Sequence, residues 1–137
     1  MFGLKFSVAF GSYKKGARAE RELISFFDSK GYSVIRAAGS GSSGLSPDLL
    51  VFRRARWYAF ECKAVNSPRL YIEDSQFNGL LRWKENSGIS DVFVAWRIPS
   101  LGFRFLRLEE FEKSGKSHSV SKESALLIDR KLDDLVK

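Results

Sequence analysis

Two runs, PDLLVF (Pro47 to Phe52) and WYAFECKA (Trp57 to Ala64), flank the short basic stretch RRAR (Arg53 to Arg56). Both runs are rich in aromatic and aliphatic residues of strand-forming type, so a turn at the arginines makes an antiparallel β-hairpin. Register follows from the turn, and it sets Asp48 opposite Glu61. Because side chains alternate along a strand, Trp57, Ala59, Glu61 and Lys63 share one face while Tyr58, Phe60, Cys62 and Ala64 share the other. Lys63 thereby joins the two carboxylates. Carboxylates opposed across a ladder, with β-carbons roughly 5 Å apart, repel one another unless something positive sits between them. A divalent cation meets that need. Mg²⁺ takes hard oxygen ligands and keeps several waters, so Asp48, Glu61 and the backbone carbonyl of Cys62 form a suitable set, with Mn²⁺ as a substitute. Lys63 then stands where it can orient or help deprotonate an attacking water and offset charge on a pentacovalent phosphorus. The plain alternative is an exposed hairpin with an ordinary Glu/Lys surface.

Other chemistries are excluded by what the chain lacks. Its one cysteine, Cys62, rules out an internal disulfide framework and any multi-cysteine zinc site. Alternation puts Cys62 on the apolar hairpin face, where a small core residue is expected rather than a reactive thiol. The one histidine, His118, lies in a Ser/Lys-rich stretch far from any nucleophile motif, which argues against Cys/His or Ser/His catalysis. A formal charge of +7 favours a polyanionic partner, although solubility alone would also explain it. No run reaches the eighteen or so apolar residues that a membrane span needs. With neither anchor nor secretion signal in the N-terminal MFGLKFSVAF, the expectation is a cytoplasmic protein without a membrane partner.

At 137 residues the chain fits a single domain, with residues 1–13 as an N-terminal extension and a loop and helix from about 110 to 137. The first dozen residues read equally as an edge strand or a loose extension. Helical periodicity from Gly16 to Lys30 makes a stripe of Leu23, Ile24 and Phe27 that includes Glu20, and Gly31 is its stop. YSVIRAA (Tyr32 to Ala38) is a strand, GSGSSGLS (Gly39 to Ser46) a flexible loop, and the hairpin follows. Asn66 to Asp74 reads as irregular or extended, and Ser75 to Gly88 as a helix capped by Ser75 and ended by Gly88. DVFVAWRI (Asp91 to Ile98) has the near-continuous apolar character of a central strand, and FRFLRL (Phe103 to Leu108) pairs with it. Lys113 to Lys122 reads as a polar loop, and one amphipathic helix runs from about Lys122 to Leu135. The order predicts an α/β fold with a central mixed five-stranded sheet flanked by helices.

Four segments, KGARAEREL (Lys15 to Leu23), VIRAAGSGSSG (Val34 to Gly44), SPDLLV (Ser46 to Val51) and FECKAV (Phe60 to Val65), resemble the archaeal Holliday junction resolvases, a branch of the PD-(D/E)xK nucleases with a restriction-endonuclease-like fold. The similarity continues through LYIEDSQ (Leu70 to Gln76) and the last two strands. The resemblance implies that Glu20 is a helix-borne acid assisting metal or water binding, that Asp48 and Glu61 are metal ligands, and that Lys63 is the catalytic lysine. It also implies a catalytic role for Ser40 in the Gly/Ser loop, DNA contacts for Lys15, Arg18, Arg21, Arg36 and Ser40, and a weaker role for Gln76. Arg53, Arg54 and Arg56 read as a charged turn that could also reach phosphates.

The implied activity is a Mg²⁺-dependent endonuclease that resolves four-way DNA junctions by paired symmetrical cuts, leaving 5′-phosphates. Two active sites on opposed strands imply a homodimer. Two rivals remain: a related repair or restriction-like nuclease with another DNA preference, and a DNA-binding module without catalysis. No motif specifies a protein partner such as a sliding clamp or helicase.

Overall fold

The structure is a computed structural model; it describes the backbone of residues 2–37 and 46–137 and, of these, the side chains from Lys15 onward. Helix α1 (Phe2–Ser29) is followed by strands β1 (Ser33–Arg36), β2 (Leu49–Arg53), β3 (Arg56–Lys63) and β4 (Arg69–Glu73). Helix α2 (Asp74–Ser87), strands β5 (Val92–Ile98) and β6 (Gly102–Arg107), and a single 3₁₀ turn (Leu108–Glu110) come next. Strands β7 (Glu112–Ser114) and β8 (Ser117–Ser121) and helices α3 (Lys122–Ile128) and α4 (Leu132–Leu135) complete the chain. The five-stranded sheet has the order β1-β2-β3-β5-β6, in which only the β3–β5 pairing is parallel. It is mixed and flanked by helices, as the pattern predicts.

Hairpin register is as the sequence dictates: Leu49 pairs with Phe60 and Phe52 with Trp57. Alternation then divides the core in two. Tyr58 and Phe60 pack with Leu23 and Phe27 of α1 and Leu135 of α4 on one side. Ala59 packs with Phe77 and Leu80 of α2 and with Leu70 and Val120 on the other. Helix α1 ends at Gly31, whose φ of 83° lets the Tyr32 amide donate back to the Phe27 carbonyl at 3.0 Å. Gly88, at φ 74°, closes α2 in the same left-handed conformation.

Four expectations are corrected. Helix α1 begins at Phe2, so the first dozen residues continue the helix and form neither an edge strand nor a loose extension. Gly3, Gly11 and Gly16 each cost a helix about 1 kcal/mol relative to alanine, which is why the sequence pattern breaks at Gly16. The segments read as irregular and as a polar loop make a second sheet of order β4-β8-β7. Ser117–Ser121 has only Ser119 and Val120 buried, so no alternation betrays a strand until β4 pairs beside it. The single C-terminal helix is two, broken where Asp129 takes φ 52°. There the Arg130 carbonyl accepts the Phe105 amide at 2.9 Å and its guanidinium grips Glu110, contacts that a continuous helix would forbid. Finally, the residue preceding α2 is Glu73 and makes no side-chain cap; the Asp74 amide donates to the Lys116 carbonyl in the β7–β8 turn instead.

Among the described residues, no helix is long and apolar enough to cross a membrane.

Candidate active site

The last residues of β3 and the residue preceding β2 meet at one end of the five-stranded sheet. The Asp48 amide donates to the Phe60 carbonyl at 2.9 Å although Leu49 is the register partner of Phe60, so the ladder ends in a bulge at Asp48, and the Asp48 carboxyl comes over the end of β3. Asp48 Oδ2 accepts the Cys62 amide at 2.8 Å, and its carboxyl is near enough to Glu61 for the two charges to interact. Glu61 is 5% exposed, an unusual degree of burial for an acid. Its carboxyl is pushed up to about 8, first by burial and then by the neighbouring charge of Asp48. Burial raises Asp48 as well, against the lowering effect of the Cys62 amide. The pair thus resists carrying two negative charges without a cation.

Gln76, in the first turn of α2, ties the site together. Its Nε2 donates to Glu61 Oε2 at 2.7 Å while its Oε1 accepts from Lys63 Nζ at 3.1 Å. The amide can satisfy both neighbours in only one orientation, so it holds the lysine head toward the acids. Lys63 Nζ stands 3.7 Å from Glu61 Oε2. Asp48, Glu61, Lys63 and Gln76 are therefore assembled by three elements: β3, the approach to β2, and α2. The donor set fits a hard divalent cation, since it consists of a buried carboxylate, Glu61, and a half-buried one, Asp48, with a lysine beside them. Cys62 contributes through its backbone only. Burial pushes its thiol well up, where it is inert.

The other candidate residues are distributed as follows. Glu20 reaches the site from α1, and its charge raises both Asp48 and Glu61, but its carboxylate is bonded by Arg36 of β1. Among the described residues, no three His, Cys, Asp or Glu side chains converge into a set that could hold a metal. Arg21 is exposed on α1, one residue past Glu20. Lys15 and Arg18 line a cleft against α1 that also contains Arg97 of β5, a residue the sequence reading did not single out. Only the parallel β3–β5 pairing, which sets Trp96 beside Lys63, brings Arg97 to this end of the sheet. Arg53, Arg54 and Arg56 lie at the opposite end of the hairpin, roughly 16 Å along the strands from Asp48. Ser40, with residues 38–45, lies outside the described residues.

A family model described as archaeal Holliday junction resolvase (Hjc) matches residues 11–137. The chain is 29% identical over 126 residues to the crossover junction endodeoxyribonuclease Hjc of Sulfolobus acidocaldarius, an alignment covering 90% of this chain and 87% of the relative. It is 28% identical over 107 residues to the Hjc of Archaeoglobus fulgidus, covering 77% of this chain and 78% of that one. The solved structure of Archaeoglobus fulgidus Hjc superposes with a TM-score of 0.72 at 25% identity, covering 82% of this chain and 88% of that chain.

Proposed function

Since the chain belongs to the archaeal Holliday junction resolvase family and is an endodeoxyribonuclease, we propose that it resolves four-way DNA junctions by paired, Mg²⁺-dependent cuts at the Asp48, Glu61 and Lys63 site. The observation that carries this reading is the pairing of buried Glu61 with half-buried Asp48, whose mutual repulsion a divalent cation relieves, with an ammonium held beside it by Gln76. Magnesium, with manganese as a substitute, held by Asp48, Glu61 and the Cys62 carbonyl, would supply Lewis-acid polarisation of the scissile phosphate and lower the pKa of the attacking water. Lys63 orients that water and offsets the negative charge that develops at phosphorus. Gln76 keeps Lys63 and Glu61 in register. Glu20 stands behind the pair as a third acid that assists through water, steered by Arg36.

Binding is carried by phosphate contacts from Lys15, Arg18, Arg21, Arg36 and the loop containing Ser40, so affinity falls steeply with salt. Arg53, Arg54 and Arg56 contribute outlying contacts. A twofold homodimer places two such sites on opposed strands. We assign the contact between copies to the apolar surface at Ile35, 54% exposed, and half-buried Trp83. Ile35 and Trp83 border Asp48, which puts that contact next to the site. The protein acts in the cytoplasm on recombination and repair intermediates.

The test is cleavage of an immobile four-way junction beside matched flap and duplex substrates, each with Mg²⁺ and with EDTA. Symmetrical nicks confined to the junction and abolished by EDTA are expected. Equal cutting of duplex would overturn junction selectivity while leaving the catalytic site standing, and cutting in EDTA would overturn the metal.

A further inference from the structure

On the α1 side of the sheet, at the same end as the carboxylates, lies a cleft of about 220 Å³ lined by Lys15, Arg18, Glu22, Arg97, Pro99 and Ser100. Three cations face one carboxylate there. Arg97 is fixed before any ligand arrives: its Nε donates to Glu22 at 2.9 Å, its Nη1 to the Ile98 carbonyl at 3.1 Å, and its guanidinium lies 5.8 Å from the Phe103 ring centre. Nη2 has no hydrogen bond among the described residues, and neither Lys15 nor Arg18 has an ion-pair partner among them. A guanidinium already ordered loses little freedom when it meets an anion.

The turn beside it adds a second unusual feature. Leu101 donates to the Ile98 carbonyl at 3.0 Å across Pro99 and Ser100, and Ser100 takes φ 68°. Proline followed by a left-handed residue is a type II turn, in which glycine is the unstrained occupant. Serine there accepts a strained backbone and sets a hydroxyl on the cleft rim that glycine would lack.

Position relates the cleft to the site. Trp96 pairs with Lys63, so Arg97 is one residue beyond the level of the lysine and points to the opposite face of the sheet. Asp48 leads into β2 and Arg97 lies on β5, two strand spacings or roughly 10 Å away. A nucleic-acid strand with its scissile phosphate at Asp48 can cross the sheet end and bring another phosphate of its backbone to Arg97.

We propose that the cleft between α1 and the β5–β6 turn is a second phosphate site, in which Arg97 and Ser100, flanked by Lys15 and Arg18, hold the junction backbone away from the cut. It rests on the nuclease reading above and names two residues that neither the sequence reading nor the family assignment identifies. The site takes a backbone phosphodiester and fixes how the strand leaves the active centre.

The experiment is junction binding by fluorescence anisotropy in EDTA over a salt series, for wild type, Arg97→Ala, Arg97→Lys and Ser100→Gly. Arg97→Ala should weaken binding about tenfold at low salt and lower the salt slope by about 0.9. Arg97→Lys, which keeps the charge near Phe103, should fall between it and wild type, with melting temperatures identifying any folding defect. Ser100→Gly should raise the melting temperature yet weaken binding. Single methylphosphonates walked along the cut strand should reveal one position that costs wild type affinity and costs Arg97→Ala nothing further. Identical affinity and salt slope for wild type and Arg97→Ala would overturn the site. So would binding of inorganic phosphate at Arg97 with DNA affinity untouched, which would mark a free-anion site. If wild type itself fails to bind junctions, the nuclease reading falls first, so the two failures are separable.

Discussion

At one end of the β2–β3 hairpin, half-buried Asp48 and buried Glu61 lie close together and are pushed toward protonation; at the other, Arg53, Arg54 and Arg56 lie in solvent around a stacked Phe52–Trp57 pair. Both ends bring like charges together, and Arg53 even pairs directly with Arg56 across the ladder. Water makes the difference. At the tip the high dielectric reduces repulsion to a fraction of a kcal/mol, and Arg56 finds the Lys137 carbonyl at 3.0 Å. At the buried end the same closeness is sustained, among the described residues, by the Cys62 amide, by Gln76 and by Lys63. The comparison teaches that crowded charge becomes chemically useful where solvent is kept out, because there the molecule gains most from binding a counterion.

The sharpest way to break this contrast is Asp48→Ala. Cleavage should fall to background while junction affinity in a gel shift stays intact or tightens, since removing the charge also removes repulsion of phosphate. Unchanged cleavage would end the ligand role. Lys63→Met should cost on the order of 10²- to 10⁴-fold in single-turnover rate, the usual range for a positioned proton-transfer group. Gln76→Leu, which keeps the volume and removes both hydrogen bonds, should cost about 10- to 100-fold in activity or in Mn²⁺ affinity read by electron paramagnetic resonance.

A subtler contrast lies in pH. The folded Glu61 holds its proton up to about 8, against 4.5 for the free side chain. Between those values the folded state carries a proton that the unfolded state lacks, so metal-free stability falls as pH rises, by at most about 1.4 kcal/mol per unit. Asp48, also raised, acts in the same direction. Melting in EDTA should therefore drop from pH 5 to pH 8, and the gain on adding Mg²⁺ should be larger at pH 8. A flat profile would remove the buried repulsion. The smallest effect belongs to the tip: Arg54 sits at φ 57°, so Arg54→Gly should stabilise by up to about 1 kcal/mol in chemical denaturation.

Much of the site was legible without coordinates because it depends on local rules. Strand alternation and a short turn suffice to bring Asp48, Glu61 and Lys63 to one end of the hairpin, and the observed register agrees from Leu49–Phe60 to Arg53–Arg56. The α1 stripe likewise turned half-buried Glu20 toward the sheet, where Arg36 pairs with its carboxylate. The second sheet was not legible. Glu112–Ser114 and Ser117–Ser121 are mostly polar, and β4 supplies the pairing that makes them strands.

Sequence alone, then, determined the hairpin, the gathering of its acids and lysine, and the presence of the five strands of the main sheet, all of which follow from patterns between near neighbours along the chain. Tertiary structure decided that Gln76 bridges Glu61 and Lys63, that Arg97 reaches the catalytic end, and that the arginine tip lies far from it. It also decided that the C-terminal helix breaks at Asp129, where backbone and side-chain bonds from Arg130 to β6 and Glu110 replace the helical ones. The reason is one of range: periodicity encodes which side of an element a residue occupies, whereas which element lies opposite is set by the packing of the whole chain.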